Sequence, residues 1–594
     1  MSEYVAPLKD MQFVLNELAG LDRISALPGY EEATPDVIEA ILDEAGKFAA
    51  GVLAPLNQVG DREGARWAGK AVTMPAGFKE AYRQFVDNGW SALDCSTGHG
   101  GQGLPKLVAA AVSEMWKSAN HAFSLCPLLT RGAIEALELI GTDQQKDLYL
   151  PRMISGEWTG TMNLTEPQAG SDLAAIRSRA EPQADGSYKI FGQKIFITYG
   201  DHDMADNIVH LVLARLPGAP EGVKGISMFV VPKFLVNADG ALGPRNDAWC
   251  VSIEHKLGIH ASPTAVMAFG DHGGAVGHLV GRPNEGLKYM FIMMNAARYS
   301  VGLEGLAVAE RAYQKALAYA RERIQGRAIE GSAAPVAIIR HPDVRRMLML
   351  MRSQIEAMRA LAYTVAAAVD MSLRHADEQE RQRNQAFVDL MIPVVKGWLT
   401  ETGNEMAYLG VQVHGGMGFI EETGAAQFMR DARITTIYEG TTGIQANDLI
   451  GRKVARESGG TLKVVLGLMR QTQQAVAADG ELAAVATALG HGIDALARAA
   501  DHVVANYAGD TRAVAVGAVP FLKLMGIVAG GWMMAKSAMA ARRRIAAGDG
   551  DAFYAAKIAS ADFYATHVLA AAQGLAQVVI DGGASALAIA DELL

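Results

Sequence analysis

At 594 residues the chain is long enough for several domains. Half of it is apolar and only 7% aromatic, a mix rich in Ala, Leu, Val and Met that favours a mostly helical protein. The net charge of −10 argues against the basic face that nucleic-acid binding needs. Cys95, Cys126 and Cys250 stand far apart without paired spacing, and the opening MSEYVAPLKDMQF lacks the basic and apolar runs of a secretory signal, so a reduced, cytoplasmic chain is expected.

Residues 1 to about 30 read as a leading arm broken by Pro7, Pro28 and Gly29. From Thr34, an N-cap-like residue followed by Pro35, apolar residues at three-and-four spacing predict a helix that ends before Pro55. Further helices are predicted at Gly77 to Asn88, Leu107 to Ser118, Thr130 to Ile140 and Asp143 to Ile154, which together make an N-terminal helical domain, 1–158. Gly98 to Gly103, GHGGQG, matches G-x-G-x-x-G literally. It lacks a preceding strand and a βαβ setting, and reads as a glycine-rich loop.

Residues 159–281 change character, to short runs rich in Val, Ile, Phe and Tyr. SYKIFGQKIFITYG, NIVHLVLARL, GISMFVVPKF and TAVMAFGD are strand candidates, and Asp185-Gly186 fits a hairpin turn. No helices of comparable length intervene, which predicts a middle antiparallel β domain. Helical patterns return at Gly286 to Gly326, His341 to Leu373 and Asp377 to Gly410, and predict a bundle over 282–455. An additional Ala-rich helical domain, 456–594, has nearly balanced charges, and its Arg542 to Arg544 cluster reads as a solvated helix end. Its most apolar stretch, Leu524 to Ala535, reads as too short to span a bilayer and better placed as a buried core helix.

Two stretches carry chemistry. In DARITTIYEGTTGIQAND, Asp431 to Asp448, Glu439 sits among small and uncharged neighbours. Desolvation would raise its pKa toward neutrality, as a general base requires, although on the local pattern alone a capping or solvated Glu beside a turn is the better fit. In MNLTEPQAGSD, Met162 to Asp172, two hydroxyls flank a glycine at a strand-to-loop transition. Asp201-His202-Asp203 and Asp271-His272 lack partners at metal-ligand spacing and read as polar loops, so no metal is expected.

The wording R-x-T-T-I-Y-E-G-T-T-G-I-Q closely resembles the catalytic segment of the acyl-CoA dehydrogenase family, and MNLTEPQAGSD resembles a second segment of it. The order helix, sheet, bundle is that family's too, and the extra C-terminal domain resembles its larger bacterial members, of the 3-methylmercaptopropionyl-CoA or the broad fatty acyl-CoA dehydrogenase type. The resemblance implies an FAD-dependent dehydrogenase that converts an acyl-CoA, fatty acyl or 3-methylthiopropanoyl, to the trans-2-enoyl-CoA, with Glu439 taking the alpha proton. It places Met162, Leu164, Thr165, Ser171, Phe196 and Thr198 against the flavin, Phe196 standing where many members carry Trp. It also places Arg323, Gln412, Gly416 and Thr441 on FAD across a homodimer. Ser171, Arg298, Tyr438 and Gly440 fall on substrate positions, with Asn295 where an acidic CoA contact is usual. Arg323-Ile-Gln325-Gly326-Arg327 departs from the commoner R-x-x-F-G. Electron-transfer flavoprotein is the implied acceptor. The alternatives are an acyl-CoA oxidase and a flavin-bearing DNA-associated protein of the same fold, which a basic C-terminal domain would favour. The extra domain is expected to cover part of the helical core and to favour a dimer over a tetramer.

Overall fold

The structure, a computed structural model, describes residues 4–594. Two compact units emerge. The first comprises Met1–Gly46, Pro105–Ser118 and Arg298–Leu594, the second Lys47–Leu104 and Ala119–Ala297.

The first unit is helical. Its principal elements are α1 (Lys106–Ala119), α2 (Gly286–Glu322, from Arg298 onward), α3 (Pro342–Arg374), α4 (Glu378–His414), α5 (Ala518–Ala546) and α6 (Ala552–His567). Pro342 begins α3, where its missing N–H is harmless, and Asp377 caps α4 by accepting from the Gln379 N–H. Met351, Met358, Leu361, Val394, Val395 and Leu399 are fully buried between these helices. Each such side chain is worth about 1.5–3 kcal/mol of burial. Close crossings are made by small residues. A Cβ on Gly526 of α5 would lie 2.1 Å from Trp398 of α4, and one on Gly403 would lie 2.4 Å from the Gly305 carbonyl of α2.

Several helix limits differ from those predicted. The helix Pro35–Phe48 does not stop before Pro55. It runs through a π-helical stretch, Ala49–Leu53, into Ala54–Glu63, which takes up Pro55 at its start, just after the π-helical stretch. α4 continues four residues past Gly410, a glycine used for close approach to Ala312 rather than as a stop. The apolar stretch around Leu524 belongs to a helix of 29 residues, so by length and composition it could cross a bilayer, contrary to the length argument. Its burial agrees with the core-helix reading, since Leu524, Met525, Val528 and Met533 are all fully enclosed.

The second unit is built on a sheet of eight strands: β1 (Trp158–Asn163), β2 (Arg179–Pro182), β3 (Tyr188–Thr198), β4 (Asn207–Arg215), β5 (Ile226–Pro232), β6 (Ala248–Ile253), β7 (Thr264–Phe269) and β8 (Ala275–Val280). The order is β6-β7-β3-β8-β5-β4-β1, with β2 against β3 and β4. Pairing is antiparallel except for β1 with β4 and a single β2–β4 contact. The Asp185-Gly186 turn joins β2 to β3, with Gly186 at φ 84°. β4 is buried on both faces. Val209, Leu211 and Leu213 face one apolar cluster with Trp158, Met228 and helix residues Ile134 and Leu150, while Val212 and Ala214 face another with Ile190 and Phe229. This explains its unbroken apolar run. β1, β6 and β8 were not predicted, and neither was the first half of the helix His121–Ile140, which carries Pro127 internally. The GHGGQG segment is a loop, as read, leading into α1.

Candidate active site

The catalytic stretch begins with the short helix Ala425–Ala432 and a 3₁₀ turn, Arg433–Thr436. Two residues follow in the left-handed region, Glu439 at φ 55° and Gly440 at φ 89°, and Thr441 then caps the helix Thr442–Asn447 by accepting from the Ile444 N–H. Glycine suits the second position. A glutamate at the first costs about 1–2 kcal/mol of backbone strain, which persists only where the surroundings impose it.

The surroundings do impose it. Gln445 Nε2 donates to the Glu439 carbonyl at 3.2 Å, and Lys396 Nζ donates to the Gly440 carbonyl at 2.7 Å. The Thr442 hydroxyl donates to Glu401, and Asn404 Nδ2 donates to the Ala432 carbonyl at 2.9 Å. Lys396, Glu401 and Asn404, one face of α4, thus hold the stretch along its length. Beside Glu439, the Tyr438 hydroxyl donates to Glu304 of α2, a fully buried carboxylate.

Glu439 is half-buried. Desolvation pushes its carboxyl up to about 7, Glu304 adding to the rise while Arg298 and Lys396 oppose it. Burial likewise pushes Lys396 down to about 8, against the pull of Glu439, Glu304 and Glu401. Arg298 is 7% exposed, and its Nε has no hydrogen-bond partner among the described residues. Burial lowers its pKa from the usual arginine value, against the pull of Asp448 and Glu439. A poised carboxylate, an unsatisfied guanidinium and a strained backbone in one place suit proton abstraction from a bound anionic or polarised substrate.

Arg323 lies just past the end of α2 and is exposed, as are Gln412 and Gly416 at the end of α4. A Cβ on Gly416 would meet nothing within 4 Å. Gln325 and Gly326 belong to a small hairpin, Gln325 N–H donating to the Val336 carbonyl and Val336 N–H to the Gly326 carbonyl.

The other predicted contacts lie on the second unit. Met162 is buried in β1, Leu164 and Thr165 follow it half-buried, and Ser171 is exposed. A buried pair that the sequence reading missed secures this loop. Lys194 Nζ donates to the Leu164 carbonyl at 3.0 Å and to Glu166 at 2.8 Å, and Glu166 also accepts from the Ser178 hydroxyl at 2.6 Å. Burial alone would raise the Glu166 carboxyl, but Lys194 and these donors pull it down to about 2. Thr198 ends β3, two residues after Phe196, which stands at φ 60° with 58% of its surface exposed. A large bare aromatic ring on a fixed strand is a fitting wall for a planar cofactor ring, so these residues fit a flavin.

Asp201-His202-Asp203 and Asp271-His272 are used internally. Lys233 Nζ donates to Asp201, His202 Nε2 lies 2.9 Å from the Thr159 hydroxyl, and His272 Nδ1 lies 2.9 Å from Asp247. Among the described residues no group of His, Cys, Asp and Glu is arranged to hold a metal ion.

The chain matches the families described as Acyl-CoA dehydrogenase N-terminal domain (35–157), middle domain (161–271) and C-terminal domain (284–454), and Acetyl-CoA dehydrogenase C-terminal like (465–590). It is 51% identical to a 3-methylmercaptopropionyl-CoA dehydrogenase of Ruegeria pomeroyi, over 98% of this chain and 99% of that one. It is 36% identical to a broad-specificity linear acyl-CoA dehydrogenase of Mycobacterium tuberculosis, over 96% of each. The structure superposes on an acyl-CoA dehydrogenase of Bacillus anthracis complexed with FAD with a TM-score of 0.75 at 21% identity, covering 98% of this chain and 93% of that one. The chain belongs to the acyl-CoA dehydrogenase family, FAD-dependent enzymes that act on CH–CH donors.

Proposed function

We propose that Glu439 is the base of this dehydrogenase and that a short or thioether-bearing acyl-CoA, of the 3-methylmercaptopropionyl type, is its substrate. The single observation that carries the assignment of the base is Glu439 itself, half-buried, poised at about 7 and locked in a left-handed turn. The full-length 51% relative supports the substrate, with linear fatty acyl-CoAs as the coarser class.

The Glu439 carboxylate takes the proton from the carbon alpha to the thioester. Its own backbone N–H donates to the thioester oxygen and stabilises the charge that develops there. When bound, FAD supplies the acceptor for the hydride that leaves the beta carbon. Arg298, buried with an unsatisfied Nε, holds the polar part of the substrate, with Ser171, Tyr438 and Gly440 as further contacts. Met162, Leu164, Thr165, Ser171, Phe196 and Thr198 hold the flavin, joined by Arg323, Gln412, Gly416 and Thr441. The exposed guanidinium of Arg323 suits a pyrophosphate. Electron-transfer flavoprotein takes the electrons onward. The protein works as a cytoplasmic homodimer, a setting that its three free, buried cysteines suit.

The test is anaerobic mixing of the flavin-bound protein with a panel of acyl-CoAs, in wild type and Glu439→Gln. Bleaching of the flavin by 3-methylmercaptopropionyl-CoA or butanoyl-CoA is expected, slowed roughly 10²–10⁴-fold or more in the variant with FAD retained. An unchanged rate in the variant would remove Glu439 from the role. Light scattering checks the oligomer, and a tetramer would contradict the dimer.

A further inference from the structure

Lys396 touches neither substrate nor cofactor in the reading above, yet its ammonium is buried with no exposed surface at all. Long cations are rarely enclosed without a task, because desolvation is costly unless every proton finds a partner. The acceptor that Lys396 reaches is the carbonyl of Gly440, at 2.7 Å, the peptide group directly after the base. Its helix is anchored at this point. The Thr400 hydroxyl donates to the Lys396 carbonyl at 2.7 Å, and one and two turns further on Glu401 and Asn404 hold Thr442 and Ala432.

We propose that Lys396 is a positioning residue for the base: its ammonium pins the left-handed Glu439–Gly440 turn through the Gly440 carbonyl and places a fixed positive charge behind the carboxylate. This rests on the reading of Glu439 as the base. Gln445 shares the first task, reaching the Glu439 carbonyl at 3.2 Å, but it brings no charge. The charged groups around the base come from three elements. Arg298 and Glu304 lie on α2, Lys396 and Glu401 on α4, and Lys117 of α1 acts on Glu304. Among the cations here, Lys396 alone joins a hydrogen bond to the catalytic turn with a charge that acts on Glu439, whereas Glu304, which accepts from the Tyr438 hydroxyl, acts on it with the opposite sign.

The sign of the electrostatic effect follows. A cation near a carboxyl favours the ionised form, so removing it makes Glu439 harder to ionise and moves the acid limb of the reaction to higher pH. The experiment is rapid anaerobic reduction of the FAD-bound enzyme by butanoyl-CoA, followed from about pH 5.5 to about pH 9.5, in wild type, Lys396→Met, Lys396→Arg and Glu439→Gln. Lys396→Met is expected to shift the acid limb up by about one pH unit and to slow reduction at neutral pH by roughly 10-fold or more. Lys396→Arg is expected to keep the wild-type acid limb.

A purely structural lysine would alter FAD content or thermal stability and leave the limb where it was. Lys396→Met that keeps both the wild-type rate and the wild-type limb overturns the proposal. Should Lys396→Met fail to bind FAD, the alkaline side decides. Burial lowers Lys396 to about 8, so wild type loses rate above that pH, whereas Lys396→Arg stays charged and holds its rate. An identical alkaline decline in both would also overturn it. Failure of the base assignment itself shows separately, as retained activity in Glu439→Gln.

Discussion

At Glu439 the same burial that makes a base also makes a liability. Native structure prefers the protonated carboxyl, because desolvation lifts it from the ordinary 4.5 to about 7. Below about 4.5 both folded and unfolded chains hold the proton and nothing is lost. As the pH rises from there through about 7, ionisation costs stability, by at most about 3 kcal/mol and less for a group that keeps some solvent access. Glu439→Gln mimics the protonated form and is therefore expected to raise the melting temperature relative to wild type at pH near 8, with no gain at pH near 4. Differential scanning calorimetry at the two values checks this, and equal shifts at both would mean that ionisation is not the cause. The base was legible in the sequence because Y-E-G-T is contiguous. Lys396, Glu304, Lys194 and Glu166 were not, because each meets its partner only after folding: Lys396 and Gly440 are 44 positions apart, and Glu166 and Lys194 are 28 apart. A lone lysine in an apolar helix gives no local hint that its ammonium has a distant carbonyl waiting.

Among elements, the helices were readable wherever an apolar stripe and a cap coincided, as at Asp143–Ser155, where Thr142 and Gln145 form a capping box. Reading failed where punctuation misled. Pro55 suggested a break, yet it lies within a helical run that continues to Glu63. Strand β1, with the sequence WTGTMN, is buried throughout although half of it is polar, so it shows neither alternation nor an apolar run. Its two threonine hydroxyls meet His202 and His210, partners that no local pattern announces. Two element-scale outcomes follow from close packing and pairing. Gly526→Ala drives a methyl into Trp398 across the α4–α5 crossing and should cost about 1–3 kcal/mol in urea unfolding. Asp370 of α3 accepts from the Tyr30 hydroxyl at 2.6 Å and from the Lys106 and Leu107 N–H groups at 2.8 and 2.9 Å, at the start of α1. Asp370→Asn turns an amide donor toward donors and should cost about 1–3 kcal/mol, read as a lowered melting temperature.

Across the whole chain, what the sequence could not reveal is how its ends are tied to its middle. Arg359 of α3 is buried and touches three carboxylates, Asp10 of the arm at 2.5 Å, Glu114 of α1 at 2.6 Å and Glu310 of α2 at 2.7 Å. Lys557 of α6, in the additional C-terminal region, is equally buried and pairs with Asp10 and with Glu356 of α3. One carboxylate from the first turn of the chain therefore joins a central helix to a C-terminal one. Here the extra region covers the helical core, as expected from the sequence, with α5 packed on α4 and α6 sealed by this pairing. A buried pair adds little over a well-packed apolar substitute, but removing one partner strands the other charge in the interior. Lys557→Met should therefore cost about 3–5 kcal/mol, and Asp10→Asn added to it should recover part of that loss, a coupling that a double-mutant cycle in urea isolates. The pairing also carries a pH signature. Burial alone would raise the Asp10 carboxyl, but Lys557 and Arg359 hold it below its ordinary value, so its contribution is complete above the usual aspartate range and is lost as the pH falls through and below it. Acid unfolding of wild type should accordingly steepen below about pH 4, and the double variant, with no Asp10 charge to lose, should show a shallower dependence there. If the cycle returns no coupling and the acid limbs coincide, the arm and the C-terminal region are held by their other contacts, among them Phe13 against Phe553 at 5.5 Å between ring centres and Arg544 paired with Glu17 at 2.6 Å.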